Sequence, residues 1–158
     1  MGSRLRRNDA ECLMRGAAVL LAAVLCSLAG VRPAFAVDWV RVGGNASVVE
    51  VYVNRHSILP EDNAMKAWAL WDFAETRQTA DGSNRPFRSH KAMLILRCDT
   101  RELAVARFAL YEENLGKGEQ FGEENTPRKE LKFLPVDQNT VSESIANMVC
   151  RYAKRKRK

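Results

Sequence analysis

From Gly16 to Val31 the chain carries no charged residue, and this run decides how much of the 158 residues is left to fold. Arg4, Arg6, Arg7 and Arg15 precede it, and Ala34-Phe35-Ala36 follows it. A positive head, an apolar centre and a small-residue A-x-A site in that order describe a secretory signal peptide. A membrane anchor would want about 20 apolar residues, more than this run supplies. A lipoprotein route through Cys26 is disfavoured by the bulk of Leu25 before it. Cleavage is expected after Ala36, with Ala34 and Ala36 as the recognised small residues and Val37 as the new N-terminus. What remains is enough for one ordinary domain and too little for two.

Removing the leader changes the meaning of the composition. The formal charge of +6 suggests a polyanionic partner. Yet the leader holds five arginines and two acids, and residues 151–158 hold six cations and no acid. Residues 37–150 are left with 14 basic and 17 acidic side chains, a slightly acidic body. The cysteines shift the same way. Cys12 and Cys26 leave with the leader, and Cys98 and Cys150 remain. An even count in an exported small domain reads as one disulfide, the alternative of two buried thiols being disfavoured in an oxidising compartment.

The body is dominated by short β-type runs separated by turn signals. Asp38–Val42 reads as a strand, with Gly43-Gly44-Asn45 as its turn. Over 47–54, Val49, Val51 and Val53 alternate with Glu50, Tyr52 and Asn54, the pattern of a half-exposed strand. Residues 65–73 form another, in which Trp68 and Trp71 point to opposite faces. Residues 74–86 read as a mobile loop. Residues 87–98 and 102–112 flank Asp99-Thr100-Arg101, the best hairpin candidate, and Ala92, Leu94, Leu96 and Cys98 share one apolar row. The glycine-bearing acidic stretch 113–124 reads as loop and 129–134 as a last strand. Thr140-Val141-Ser142-Glu143 matches a capping box, and Val141, Ile145, Met148, Val149 and Tyr152 recur at helical spacing. A helix with one apolar face must cover a sheet, and the face carrying Cys98 is available to receive it. A Cys98–Cys150 bond would clamp that contact.

Catalytic chemistry is poorly supplied. The two histidines are His56, in a turn, and His90, in a strand beside Ser89; neither has a specified third member of a triad. No catalytic residue is assigned. No pair of Cys or His has zinc-site spacing, so no metal and no cofactor are expected. Gly116-Lys117-Gly118 lacks the length and flanking elements of a phosphate loop and reads as a turn. Trp39, Trp68 and Trp71 could line a ligand site, but core packing is the reading preferred here, because aromatic side chains supply large burial in small domains.

Several residues, in order and spacing, resemble the surface-adhesin protein E family of exported bacterial domains. They are Trp39-Val40 with Val42-Gly43, Val51-Tyr52-Val53, Ser57-Ile58, and Trp68 with Leu70 and Asp72-Phe73. Further along come Ser89 and Lys91 before Cys98, Leu110-Tyr111 with Gly116 and Gly118-Glu119, and Val149-Cys150. The resemblance implies an antiparallel sheet with a C-terminal helix tethered by a disulfide, a periplasmic or outer-surface address, a dimer, and adhesion to host matrix or plasma proteins. No ligand-contact residue is carried over, since the matching residues look architectural. The expected fold is therefore α+β: an antiparallel sheet of about five or six strands with one C-terminal helix tethered by Cys98–Cys150. The expected organisation is a signal peptide over 1–36, an adhesin E-like domain over 37–150 and a flexible basic tail over 151–158.

That tail, Arg151, Lys154, Arg155, Lys156, Arg157 and Lys158, falls outside the family pattern. In an exported protein its anionic partners are lipid headgroups, envelope glycans or acidic proteins rather than nucleic acid. Two functions follow. One is an exported, non-enzymatic domain binding a host matrix or plasma protein, with pairing of two copies through sheet edges. The other is an envelope protein docked on anionic surfaces, a membrane surface included, through its tail.

Overall fold

The computed structural model describes residues 38–45 and 49–156, and the leader with Ala34, Ala36 and Val37 lies outside the described residues. Eight strands form one antiparallel sheet: β1 (Trp39–Asn45), β2 (Val49–Asn54), β3 (Leu59–Glu61), β4 (Ala64–Gln78), β5 (Pro86–Arg97), β6 (Glu102–Tyr111), β7 (Gln120–Asn125) and β8 (Leu134–Pro135). The main path is a meander six strands wide, β1-β2-β4-β5-β6-β7, with β3 paired to β4 and β8 to β6. One helix, α1 (Val141–Lys156), closes the described chain.

The alternating valines of β2 explain the first face. Val51 and Val53 are fully buried, and they meet Ala67 and Ala69 of β4 with Leu94 and Leu96 of β5 in one cluster. Ile145, Ala146 and Val149 of α1 close it from above. Each fully buried Val, Leu or Ile side chain among these contributes about 1.5–3 kcal/mol relative to exposure. The helix starts where the capping box places it. Thr140 Oγ1 accepts the Glu143 N–H at 3.2 Å, while the Glu143 carboxylate accepts the Asn139 N–H at 2.8 Å, one residue earlier than in the standard box. Cys98 and Cys150 form the expected disulfide, with Cα atoms 5.6 Å apart across 52 residues of sequence.

Four local expectations are corrected. The stretch 113–124 is not all loop: Gln120–Asn125 is the outer strand β7. Its sequence, QFGEEN, alternates on neither face because an edge strand beside water needs no apolar row. Residues 129–134 are not a strand but a 3-10 turn, Arg128–Glu130, followed by the two-residue β8. The loop expected over 74–86 shrinks to 79–85, because β4 runs on to Gln78 and pairs with Pro86. Gly43, Gly44 and Asn45 belong to β1, with a register shift between Arg41 and Gly43 in place of a turn.

The basic tail also begins differently. Arg151 to Lys156 continue α1 rather than forming a loose extension. Lysine and arginine are good helix formers, and their charge complements the negative end of the helix dipole. Arg157 and Lys158 lie outside the described residues.

The second face of the sheet is covered only at its ends. At one end Leu131 and Phe133, just after the 3-10 turn, pack on Ala64, Ile95 and Ala106. At the other, the turn between β6 and β7 folds over Asp72, Ser89 and Lys91. Between them the sheet is uncovered by any described element.

Candidate functional site

The continued helix gives the basic residues a defined setting. Arg151 and Arg155 are four residues apart, hence about 6 Å apart along the axis. With Arg55, from the 3-10 turn after β2, they line a groove of about 690 Å³ whose apolar lining includes Val42, Met148 and Tyr152. Arg55 is tied to Asp38 at 3.5 Å, and Arg151 Nε donates to the Asn147 carbonyl at 3.1 Å. Three guanidinium groups thus line one groove, the charge of Arg55 partly offset by Asp38, and electrostatic interactions there are screened by salt because it is open to water. Lys154 and Lys156 lie on the same final turns of α1, and their side chains are outside the description. Arg55 was not legible as a member of this group, since it lies almost a hundred residues before the basic run; antiparallel pairing of β1 with β2, not sequence proximity, brings it to the helix.

The residues that carried the family resemblance prove to hold the frame. Ser57 Oγ donates to the Asn54 carbonyl at 2.7 Å and accepts the Trp68 N–H at 2.8 Å, fastening the turn after β2 to β4. Asp72 accepts the Leu115 N–H at 2.6 Å and the Asn114 side-chain amide at 3.1 Å. Ser89, with no exposed surface, donates to the Glu113 carbonyl at 2.5 Å and accepts the Gly116 N–H at 2.9 Å. Lys91 Nζ donates to the Gly116 carbonyl at 3.1 Å and lies 4.4 Å from the Tyr111 ring centre. Burial pushes its ammonium pKa down. Gly116 sits at φ +66° with Lys91 passing over it, so a Cβ there would fall about 2.0 Å from Lys91 Cε. Glycine meets both demands, the left-handed backbone and the close approach.

Ser89 and His90 do not form a nucleophile and base. Successive strand residues point to opposite faces. Ser89 is held under the β6–β7 turn, whereas His90 stacks on Trp71 at 4.7 Å between ring centres, with Phe108 at 5.0 Å and Phe73 at 5.6 Å. Loss of hydration in this aromatic nest pushes the His90 imidazole down to about 4. Among the described residues no group of three His, Cys, Asp or Glu side chains could hold a metal ion, and no helix is long and apolar enough to cross a membrane.

The tryptophans separate. Trp71 packs against the helix-covered core as expected. Trp39 and Trp68 do not: they line a depression on the opposite face with Asn54, Arg107, Gln120 and Glu123. Of these four, Asn54 is expected from the sequence only as a water-facing strand residue and Glu123 only as solvated loop charge; nothing in the sequence joins them to Arg107 and Gln120, scattered as they are over β2, β6 and β7.

The sequence profile described as Surface-adhesin protein E matches residues 39–151. No curated protein sequence matches the chain. Among solved structures, Haemophilus influenzae protein E is similar at 22% identity and a TM-score of 0.55, over 78% of this chain and 89% of that one. A second crystal form of it gives 21% and 0.56, over 78% and 92%. Protein E from non-typeable Haemophilus influenzae gives 19% and 0.54, over 78% and 84%. At these identities the structures establish a common fold, and the profile match over residues 39–151 establishes the kinship: the chain belongs to the surface-adhesin protein E family.

Proposed function

We propose that this protein is an exported, non-enzymatic binding domain, released from its leader after Ala36 and resident in the periplasm or on the outer cell surface, where it contacts a host matrix or plasma protein. The observation that carries the reading is membership of the surface-adhesin family across the folded body. The disulfide supports an oxidising address, as structural disulfides persist outside the cytosol. The test is affinity capture with the immobilised, oxidised domain from host matrix extract, run beside envelope extract. Enrichment of a matrix or plasma protein is the expected result, and enrichment from neither extract sinks the reading. Pairing of two copies belongs to the same proposal, and light scattering in solution at twice the chain mass is its check.

A second reading is favoured by the groove of Arg55, Arg151 and Arg155, namely docking on an anionic envelope surface. Deleting residues 151–158 is a poor test, because Tyr152 and Ala153 pack against the core. Replacing Arg151 and Arg155 by Gln keeps the helix and removes the charge. Binding to vesicles rich in anionic lipid should then fall, and wild-type binding should weaken steeply with salt. Unchanged binding by the double variant overturns this alternative.

A further inference from the structure

The uncovered middle of the second face is a trough of about 380 Å³, within the usual range of roughly 300–1,000 Å³ for ligand sites. All six strands of the main path contribute to it, from Trp39 on β1 to Gln120 and Glu123 on β7. At about 4.8 Å per strand it crosses on the order of 24 Å of sheet. Trp39, Trp68 and Tyr111 present half-buried ring surface along it. On the β6–β7 side runs a chain of hydrogen bonds: Tyr111 Oη donates to Gln120 Oε1 at 2.8 Å, Gln120 Nε2 to Glu123 Oε2 at 3.0 Å, and Arg107 to Glu123 Oε1 at 2.7 Å. On the opposite side Asn54 Oδ1 accepts the His56 N–H, and among the described residues its amide group has no acceptor.

These features select among ligand classes. The charges are held in place: Arg107 pairs with Glu123 through Nη2, though its Nε is buried without a partner, and Lys91 is fixed by the neutral Gly116 carbonyl and the Tyr111 ring. With two fixed cations and one carboxylate among its lining residues, the trough offers no dense run of either sign for a polyanion or a polycation. A peptide strand would seek unpaired backbone groups at a sheet edge, and here it would meet upright side chains on a face. What remains is a ligand with apolar C–H faces and many neutral hydroxyls. Electron-rich ring faces attract C–H groups through the aromatic quadrupole, and planar amide, carboxylate and guanidinium groups suit adjacent hydroxyls.

We propose that the trough lined by Trp39, Trp68, Tyr111, Asn54, Gln120 and Glu123 binds a neutral oligosaccharide. The inference deepens the binding reading above by naming a ligand class and a face, and the two can fail separately. The experiment titrates the oxidised domain with neutral oligosaccharides bearing galactose, N-acetylglucosamine or mannose, following tryptophan fluorescence and calorimetry, with heparin as the charged comparison. At least one neutral glycan should bind, and Trp68→Ala should weaken it roughly tenfold or more, the scale of one lost stacking platform with its buried area. Trp71→Phe, on the other face, should leave binding unchanged. Trp39→Ala and Gln120→Ala, both on outer strands, test the trough should Trp68→Ala fail to fold. No binding across the panel overturns the proposal, as does binding of heparin alone, or glycan binding indifferent to all three trough substitutions. Capture of a host protein that survives its deglycosylation and the trough substitutions upholds the adhesin reading while overturning this one.

Discussion

The two faces of the sheet are built by opposite strategies. On the helix-clad face, aliphatic rows from β2, β4 and β5 meet Ile145 and Val149, and a covalent bond holds the cover in place. On the other face the cover is two short segments at the ends, and the middle presents aromatic rings and hydrogen-bonding side chains to water. The first face holds most of the fully buried side chains of the described domain. The second leaves partly buried aromatic surface without a cover, which an isolated domain has no need to do.

The contrast can be broken in measurable steps. The largest effect should come from the disulfide: a loop of 52 residues is worth about 4 kcal/mol on the chain-entropy model. Cys98→Ser with Cys150→Ser should therefore lower the denaturation midpoint strongly, and reductant should do the same to the wild type. Next, Ile145→Ala removes a fully buried side chain and should cost about 2–5 kcal/mol by urea unfolding. If it costs under 1 kcal/mol, the helix is not the principal cover and the comparison fails.

A pH dependence follows from His90 on the same face. The unfolded chain takes up a proton near pH 6.5, and the folded chain only near pH 4, because burial disfavours the imidazolium. Between those values the unfolded state binds more protons, so stability present above pH 6.5 is lost as pH falls, by at most about 1.4 kcal/mol per unit. His90→Phe, which suits the surrounding rings, should flatten this part of the profile. The smallest effect belongs to the open face. Trp39→Ala should change unfolding free energy by no more than about 1 kcal/mol, although it lines the trough. A large loss there would mean that the open face, too, is core.

Much of the first face was legible because its signals are local. The alternation of Val49, Val51 and Val53 announces a strand, and Thr140 to Glu143 announces the helix start. The open face was legible only in part. Alternation alone separates Trp68 from Trp71, and this already means that a single core cannot hold both; the preference for burying aromatics nevertheless concealed it. The opposite wall was lost with β7, whose QFGEEN sequence carries no periodic apolar signal. Arg55 beside Arg151, or Trp39 beside Trp68, depends on strand register over long sequence distances, which no local pattern encodes.

The end segments that bracket the trough have one more consequence. Ser89 and Asp72 bolt down one, and Leu131 with Phe133 wedges the other against the sheet, so the space between them is cast before any guest arrives. A mould of fixed dimensions spends little entropy on closing. It should discriminate by fit and linkage geometry, admitting a guest quickly and releasing it unchanged.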